Sequence, residues 1–192
     1  MAKTIRQPKP APDLLLLRVE LKWIAPTIWR RFVVPENITL GKLHHVIQAV
    51  MGWDDCHLHE FEIAGERYGT SGSNSWGPLV HPEARNTLIK ALLGKKTFYY
   101  LYDFGDSWTH RIKVEKRLPP LSTPQLPYCV GGANACPPED VGGAPGYMAF
   151  LEAMSDPKHP EHDDMLDWYG EVFEPAAFDC EQVNQWFKTI KV

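Results

Sequence analysis

Apolar positions recur along this chain with two periods, and the switch between them lays out the elements. In LLLLRVELKWI, Leu15, Leu17, Val19 and Leu21 fall on one side while Arg18, Glu20 and Lys22 fall on the other, the pattern of a half-buried strand. TIWRRFVVP reads as a second strand, closed by Pro35. In ENITLGKLHHVIQAVMGW the period lengthens: Leu40, Leu43, Val46, Ile47, Val50 and Met51 recur at helical spacing. Thr39 suits the N-cap, and Gly52 suits the left-handed residue past the last turn, with Trp53 folding back onto it.

HLHEFEI returns to strict alternation, so His57, His59, Phe61 and Ile63 share one face. A short helical piece, LIKALLG, precedes FYYLYDF, whose apolar positions on both faces suit a central strand. WTHRIKVEK then alternates with Trp108, His110, Ile112 and Val114 inward, and Gly105-Asp106 is expected to make a two-residue hairpin turn. The Pro/Gly-rich run RLPPLSTPQLPYCVGGANACPPEDVGGAPG is expected to be a functional or packing loop. Three helices close the chain, in GYMAFLEAM (Tyr147, Phe150, Leu151 and Met154 on one face), in DDMLDWYG, and in DCEQVNQWFKTI, where Asp179 and Gln182 stand at capping-box spacing. The order makes an α+β protein: a mixed or antiparallel sheet, one helix packed after the first two strands, and a C-terminal helical segment. Residues 1–13 read as a loose, Pro-rich tail and 14–192 as one domain.

Composition narrows the class. With 44% apolar residues in 192, the chain can build a full core and is not of the disordered type. Four cysteines (Cys56, Cys129, Cys136, Cys180) are too few for a disulfide scaffold, and no run approaches a membrane span or a secretory signal. A cytoplasmic setting is expected. The net charge of -4 argues against broad binding to a phosphate backbone. That charge is uneven: residues 1–47 carry a surplus of five cations and residues 134–180 a surplus of ten acids. Either the two ends compensate each other within the fold, or the first forms a basic patch for an anionic partner.

The candidate chemistry sits at element ends. In a strand, His57 and His59 project to the same side about 7 Å apart, within reach of one divalent metal such as zinc. Asp103 on a neighbouring strand could join them, as could Cys56, Cys129 and Cys136 in a mixed site. The plainer alternative is that inward histidines are hydrogen-bonded core residues and the thiols are buried. In ACPPEDVGG, Glu139 and Asp140 suit the first turn of a helix, or bind a cation. Asp103, Asp106, Trp108, Glu139, Asp140 and Arg30 are the candidate binding residues, with the site expected where the hairpin end, the His57/His59 strand and the CPPED loop converge. DFG at 103–105 is not a kinase signature, because no nucleotide loop or catalytic loop accompanies it. Ser107 has no base nearby except His110, which should point inward with the apolar set.

Taken together, IWRRFVVPENITLGKLHHVIQAVMGW, HLHEFEI, LYDFGDSWTHRIKVE and CPPEDVGG followed by GYMAFLEA resemble the plasmid pRiA4b ORF-3-like family, over about Leu14 to Phe187. Members are also labelled passenger proteins of mobile elements, of resolvase type. The resemblance implies one α+β domain associated with plasmids and insertion elements, and supplies no catalytic residues to carry over. The resolvase label fails on the residues: the first serine is Ser71, no His-x-x-Arg occurs, and no basic helix-turn-helix tail follows. The expectation is a non-catalytic accessory module binding a protein or small ligand. A metal-dependent hydrolase or nuclease using His57 and His59 with nearby carboxylates ranks second. DNA binding through Trp29, Arg30 and Arg31 ranks third, since the two arginines point oppositely on a strand.

Overall fold

The computed structural model describes residues 11–70, 80–120 and 125–192. Most of the expected tail, residues 1–10, therefore lies outside the described residues. In chain order the elements are β1 (Leu14–Leu21), β2 (Trp29–Pro35), α1 (Leu40–Met51), β3 (His59–Ile63), β4 (Glu66–Gly69), β5 (His81–Pro82), a 3-10 turn (Glu83–Arg85), α2 (Leu88–Leu92), β6 (Thr97–Tyr102), β7 (Trp108–Leu118), β8 (Tyr128–Ala133), α3 (Gly143–Ser155), α4 (His162–Tyr169) and α5 (Cys180–Phe187). The strands form one sheet in the order β5-β4-β3-β6-β7-β1-β2-β8. All neighbours are antiparallel except β4 and β5, so the sheet is mixed and the protein is α+β.

Strand alternation decides which face is covered. Leu15, Leu17, Val19 and Leu21 of β1, Phe98, Tyr100 and Tyr102 of β6, and Trp108, His110 and Ile112 of β7 are all buried beneath the helices. The opposite face keeps Arg18, Glu20, Arg31, Arg111 and Glu115, which pair with one another: Arg31 donates twice to Glu115 at 2.8 and 3.0 Å, and Glu20 accepts from both Arg18 and Arg111. β6 is central in the order but covered on one face only, because Tyr99 is exposed; its apolar run reflects aromatic residues tolerated at the surface.

Helix α1 follows its sequence signals. Thr39 accepts from the amide of Lys42, and Gly52 adopts φ 88° with its amide on the Gln48 carbonyl. Asp179 caps α5 by accepting from the amides of Glu181 and Gln182.

Two expectations fail. The β6–β7 connection is not a two-residue turn but five residues, 103–107, since Tyr102 and Trp108 are the last cross-strand pair. Asp103 takes φ 54° there and its Oδ1 accepts from the amide of Gly105. The Pro/Gly-rich run also contains a strand: β8 pairs with β2 and closes the sheet. Gly132 is required in it, because a Cβ there would lie 2.7 Å from the Phe178 ring and 2.8 Å from the Arg30 side chain.

His110 is wholly buried, with Nδ1 3.2 Å from the Tyr100 carbonyl. Burial pushes its imidazole down to about 4, so it folds neutral while the unfolded chain protonates near the usual value of about 6.5. The unfolded state thus takes up the extra proton as pH falls, and stability present above about pH 6.5 is lost towards pH 4. Urea unfolding should show His110→Gln losing about 2.5 kcal/mol less than the wild type between about pH 7 and about pH 4.5.

Candidate functional site

Trp53, just past α1, organises the region. Its ring stacks on Tyr102 at 5.0 Å and lies 6.1 Å from Trp108, and its indole N–H donates to the Pro137 carbonyl at 2.9 Å. One side chain thereby fixes the end of β6 against the loop that carries Glu139 and Asp140. The hairpin meets the same loop through Asp106, whose Oδ2 accepts from the amide of Gly142 at 3.0 Å.

Around this junction, Asp103, Glu139 and Asp140 each approach the imidazole of His57. His57 Nε2 lies 3.1 Å from Asp140 Oδ1, 3.8 Å from Asp103 Oδ2 and 3.9 Å from Glu139 Oε2. The Asp140 oxygen is close enough for an ion pair but out of line for a hydrogen bond, so His57 Nε2 and Glu139 Oε2 are both buried without hydrogen-bond partners.

Each inner carboxylate has one oxygen anchored and one left over. Glu139 Oε1 accepts from the Tyr102 hydroxyl at 2.9 Å and the Asp54 amide at 3.1 Å, leaving Oε2 turned to His57. Asp103 spends Oδ1 on Gly105, leaving Oδ2 turned to the same point. Tyr102 stays protonated and donating, because burial first and then the Glu139 carboxylate hold its phenol well above the ordinary value. Its oxygen also accepts from the Cys56 amide at 3.1 Å.

An ion held at 2.0–2.2 Å from tetrahedral ligands sets those ligand atoms about 3.4 Å apart. The distances from His57 Nε2 to the three carboxylates, 3.1 to 3.9 Å, bracket that value. Two donor groups overlap on the imidazole, His57–Asp103–Asp140 and Cys56–His57–Glu139, each with donor atoms within 4.8 Å of one another. Oxygen donors with one imidazole suit zinc or manganese-type ions. Asp140 is 71% exposed, against 10% for Asp103 and 18% for Glu139, so the group opens to solvent on that side.

Other candidates fall elsewhere. His57 and His59 do not meet: β3 starts at His59, which keeps the core face with Phe61, while His57 precedes the strand and turns to the loop. Trp108 is core. Glu139 and Asp140 are not in a helical turn, because α3 begins only at Gly143.

Arg30 is no ligand contact either. It is buried on β2, donates to the carbonyls of Val50, Trp29 and Ala133 and to the Cys136 sulfur at 3.1 Å, and stacks on Phe178. Burial raises the Cys136 thiol against the pull of Arg30, and raises the Cys129 thiol to about 12, with Cys180 adding to it. Among the described residues neither thiol joins a group of donors able to share an ion.

Arg30 is buried, and Arg18, Arg31 and Arg111 are held by carboxylates. The sequence brings Cys56 in only as a partner of the histidines in a mixed site, and nothing local marks Tyr102, which acts by bonding a loop some forty residues on.

The chain matches the model of the family described as plasmid pRiA4b ORF-3-like protein over residues 13–182. It is 41% identical over 176 residues to uncharacterized protein y4hQ of Sinorhizobium fredii (strain NBRC 101917 / NGR234), covering 90% of each chain. It is similar to the crystal structure of a protein of unknown function, MM3350 from Methanosarcina mazei Go1, with a TM-score of 0.81, 39% identity, and coverage of 88% of this chain and 96% of that one.

The junction has no slack at Gly143. Its φ is +68°, and a Cβ there would lie 2.6 Å from the Asp106 carbonyl oxygen. Gly143→Ala should destabilise the protein by about 2–3 kcal/mol in thermal melts. Gly131→Ala, where a Cβ meets nothing within 4 Å, should change it by less than about 1 kcal/mol.

Proposed function

The chain belongs to the plasmid pRiA4b ORF-3-like family, and from that premise we propose that it is a binding module built around a divalent cation held by His57, Asp103 and Asp140, with Glu139 on the other side of the imidazole. The observation that carries this reading is the pair of buried, partnerless atoms, His57 Nε2 and Glu139 Oε2, 3.9 Å apart, with Asp103 and Asp140 also turned to His57. Left bare, an unsatisfied buried polar atom costs about 1–3 kcal/mol, more when charged; an ion between them removes that cost. The ligand of the module is a small molecule or protein segment that offers oxygen or nitrogen donors on the Asp140 side. Residues 14–192 act as one domain, an accessory to plasmid-borne or mobile-element genes. Four unpaired cysteines support a reducing, cytoplasmic setting, and among the described residues no helix is long and apolar enough to cross a membrane.

A second reading, metal-assisted hydrolysis, is favoured by the exposure of Asp140 alone. An open coordination position is what distinguishes catalytic from structural ions, since water bound there is activated by the metal. Asp140 would then orient that water, with His57 and Asp103 as ligands.

Metal content by plasma mass spectrometry on untagged protein equilibrated with zinc or manganese tests the first reading. The His57→Ala protein should hold about one equivalent less than the wild type, and Tyr102→Phe, which frees Glu139, should weaken that ion roughly 10- to 100-fold. Equal metal in wild type and His57→Ala, both folded, would overturn it. Cation-dependent cleavage of a phosphodiester model substrate, lost in His57→Ala, would promote the hydrolytic reading.

A further inference from the structure

A groove of about 300 Å³ lies where α2 ends and β6 begins beside β7. Leu92, which is buried, and Val114, which is half-buried, give it an aliphatic floor, and the exposed Ile89 adds to its lining. Lys95, Lys96 and Lys116 line it too, all three exposed. The two strand ends that bring the lysines together are bonded directly, the Val114 amide donating to the Lys96 carbonyl at 2.8 Å.

The charges of this groove do not balance. Its one acid, Glu115, is taken by Arg31, and its arginine, Arg117, is held by Asp13 and Glu36. Lys95, Lys96 and Lys116 form no ion pair among the described residues. Residues 1–10, 71–79 and 121–124 contain no Asp or Glu, so they hold no acid to answer the three ammonium groups.

Leu93 is an independent observation. It caps α2 in the left-handed region, with φ 46°, and is 72% exposed. Glycine takes that backbone freely, whereas leucine is strained there and in this protein buries little in return. Strain of this kind persists at sites that bind. Ile89, one helical turn earlier, is also exposed, so two aliphatic side chains stand beside the lysines with nothing covering them.

We propose that the groove docks an acidic protein segment, whose aliphatic side chain enters over Leu92 and Val114 while its carboxylates meet Lys95, Lys96 and Lys116. The lysines come from two strand ends, and carboxylates repeated along a chain reach both, which a single small acid does not. Covering Ile89 and Leu93 excludes water from the rim and strengthens the ion pairs formed there. No aromatic ring lines the groove to stack on nucleic-acid bases, and a concave aliphatic floor suits a side chain better than a flat bilayer. The groove shares no residue with the group at His57 and does not depend on it.

Fluorescence anisotropy with a labelled glutamate-rich peptide containing leucine tests this docking, beside the same peptide with serine in place of leucine. The leucine peptide should bind roughly tenfold more tightly than the serine peptide, and both should weaken as salt rises. The Lys95→Glu/Lys96→Glu variant should bind the leucine peptide roughly tenfold more weakly or worse. Leu93→Gly should bind it several-fold more weakly while its Tm stays within a few degrees of the wild type, because glycine relieves the backbone. No binding of the leucine peptide, or equal binding by the wild type and the charge-reversed variant, would overturn the proposal. A stronger affinity for duplex DNA or phosphatidylserine vesicles, lost on charge reversal, would also overturn it, since the cations would then serve phosphate. Self-association at low salt that charge reversal abolishes would replace the foreign segment with a second copy of this chain.

Discussion

A buried arginine with no carboxylate beside it holds the middle of this structure. Arg30 enters the helix-covered side of the sheet on β2 because it alternates with Phe32 and Val34, and taking its charge from water costs several kcal/mol unless it is fully bonded. The chain answers with carbonyl oxygens: Val50 at the C-terminal end of α1, where the helix dipole is negative, Trp29 on β2 itself, and Ala133 at the end of β8. The Cys136 sulfur and the Phe178 ring complete the shell. One cation thus ties the helix, the edge strand, the loop running to Glu139 and the approach to α5. The loop bearing Glu139 and Asp140 is placed by that bond and by Trp53, and the two meet it on adjacent residues, Cys136 and Pro137.

Elements whose stability is local were legible in the sequence, and elements whose stability is borrowed were not. β1, α1 and β7 each bury a periodic apolar face, and Thr39, Gly52 and Asp179 cap helices by bonds within a few residues. β8 has two glycines and an exposed Val130; it is a strand because β2 offers it an edge and because Arg30 and Phe178 press where a side chain would stand. The meeting of the hairpin end with the CPPED loop could be anticipated from polar residues gathered at element ends. Its atoms could not, since Glu139 is aimed by Tyr102 and Asp54 from distant parts of the chain. The division of His57 from His59 was equally hidden, because period two holds only from His59 onward.

That division gives the segment 54–57 its meaning. The Asp54 amide bonds Glu139, the Asp55 carboxylate bonds His44, the Cys56 amide bonds Tyr102, and His57 faces Asp103, Glu139 and Asp140. Successive residues therefore serve opposite sides, and Asp55 holds φ 58°, a backbone that a non-glycine residue adopts only when its surroundings demand it.

Charge distribution says which ligands such groups would attract. The paired arginines of the sheet hold acids outside the C-terminal part: Arg18, Arg31 and Arg111 pair with Glu20 and Glu115, and Arg117 with Asp13 and Glu36. Among the described residues no lysine or arginine forms a salt bridge to an acid between 134 and 180. The surplus of ten acids in that stretch is therefore not cancelled by ion pairs to lysine or arginine among the described residues. Uncancelled acids of this kind raise the local concentration of cations and lower that of phosphates, and a bound metal ion would reverse that preference where it sits.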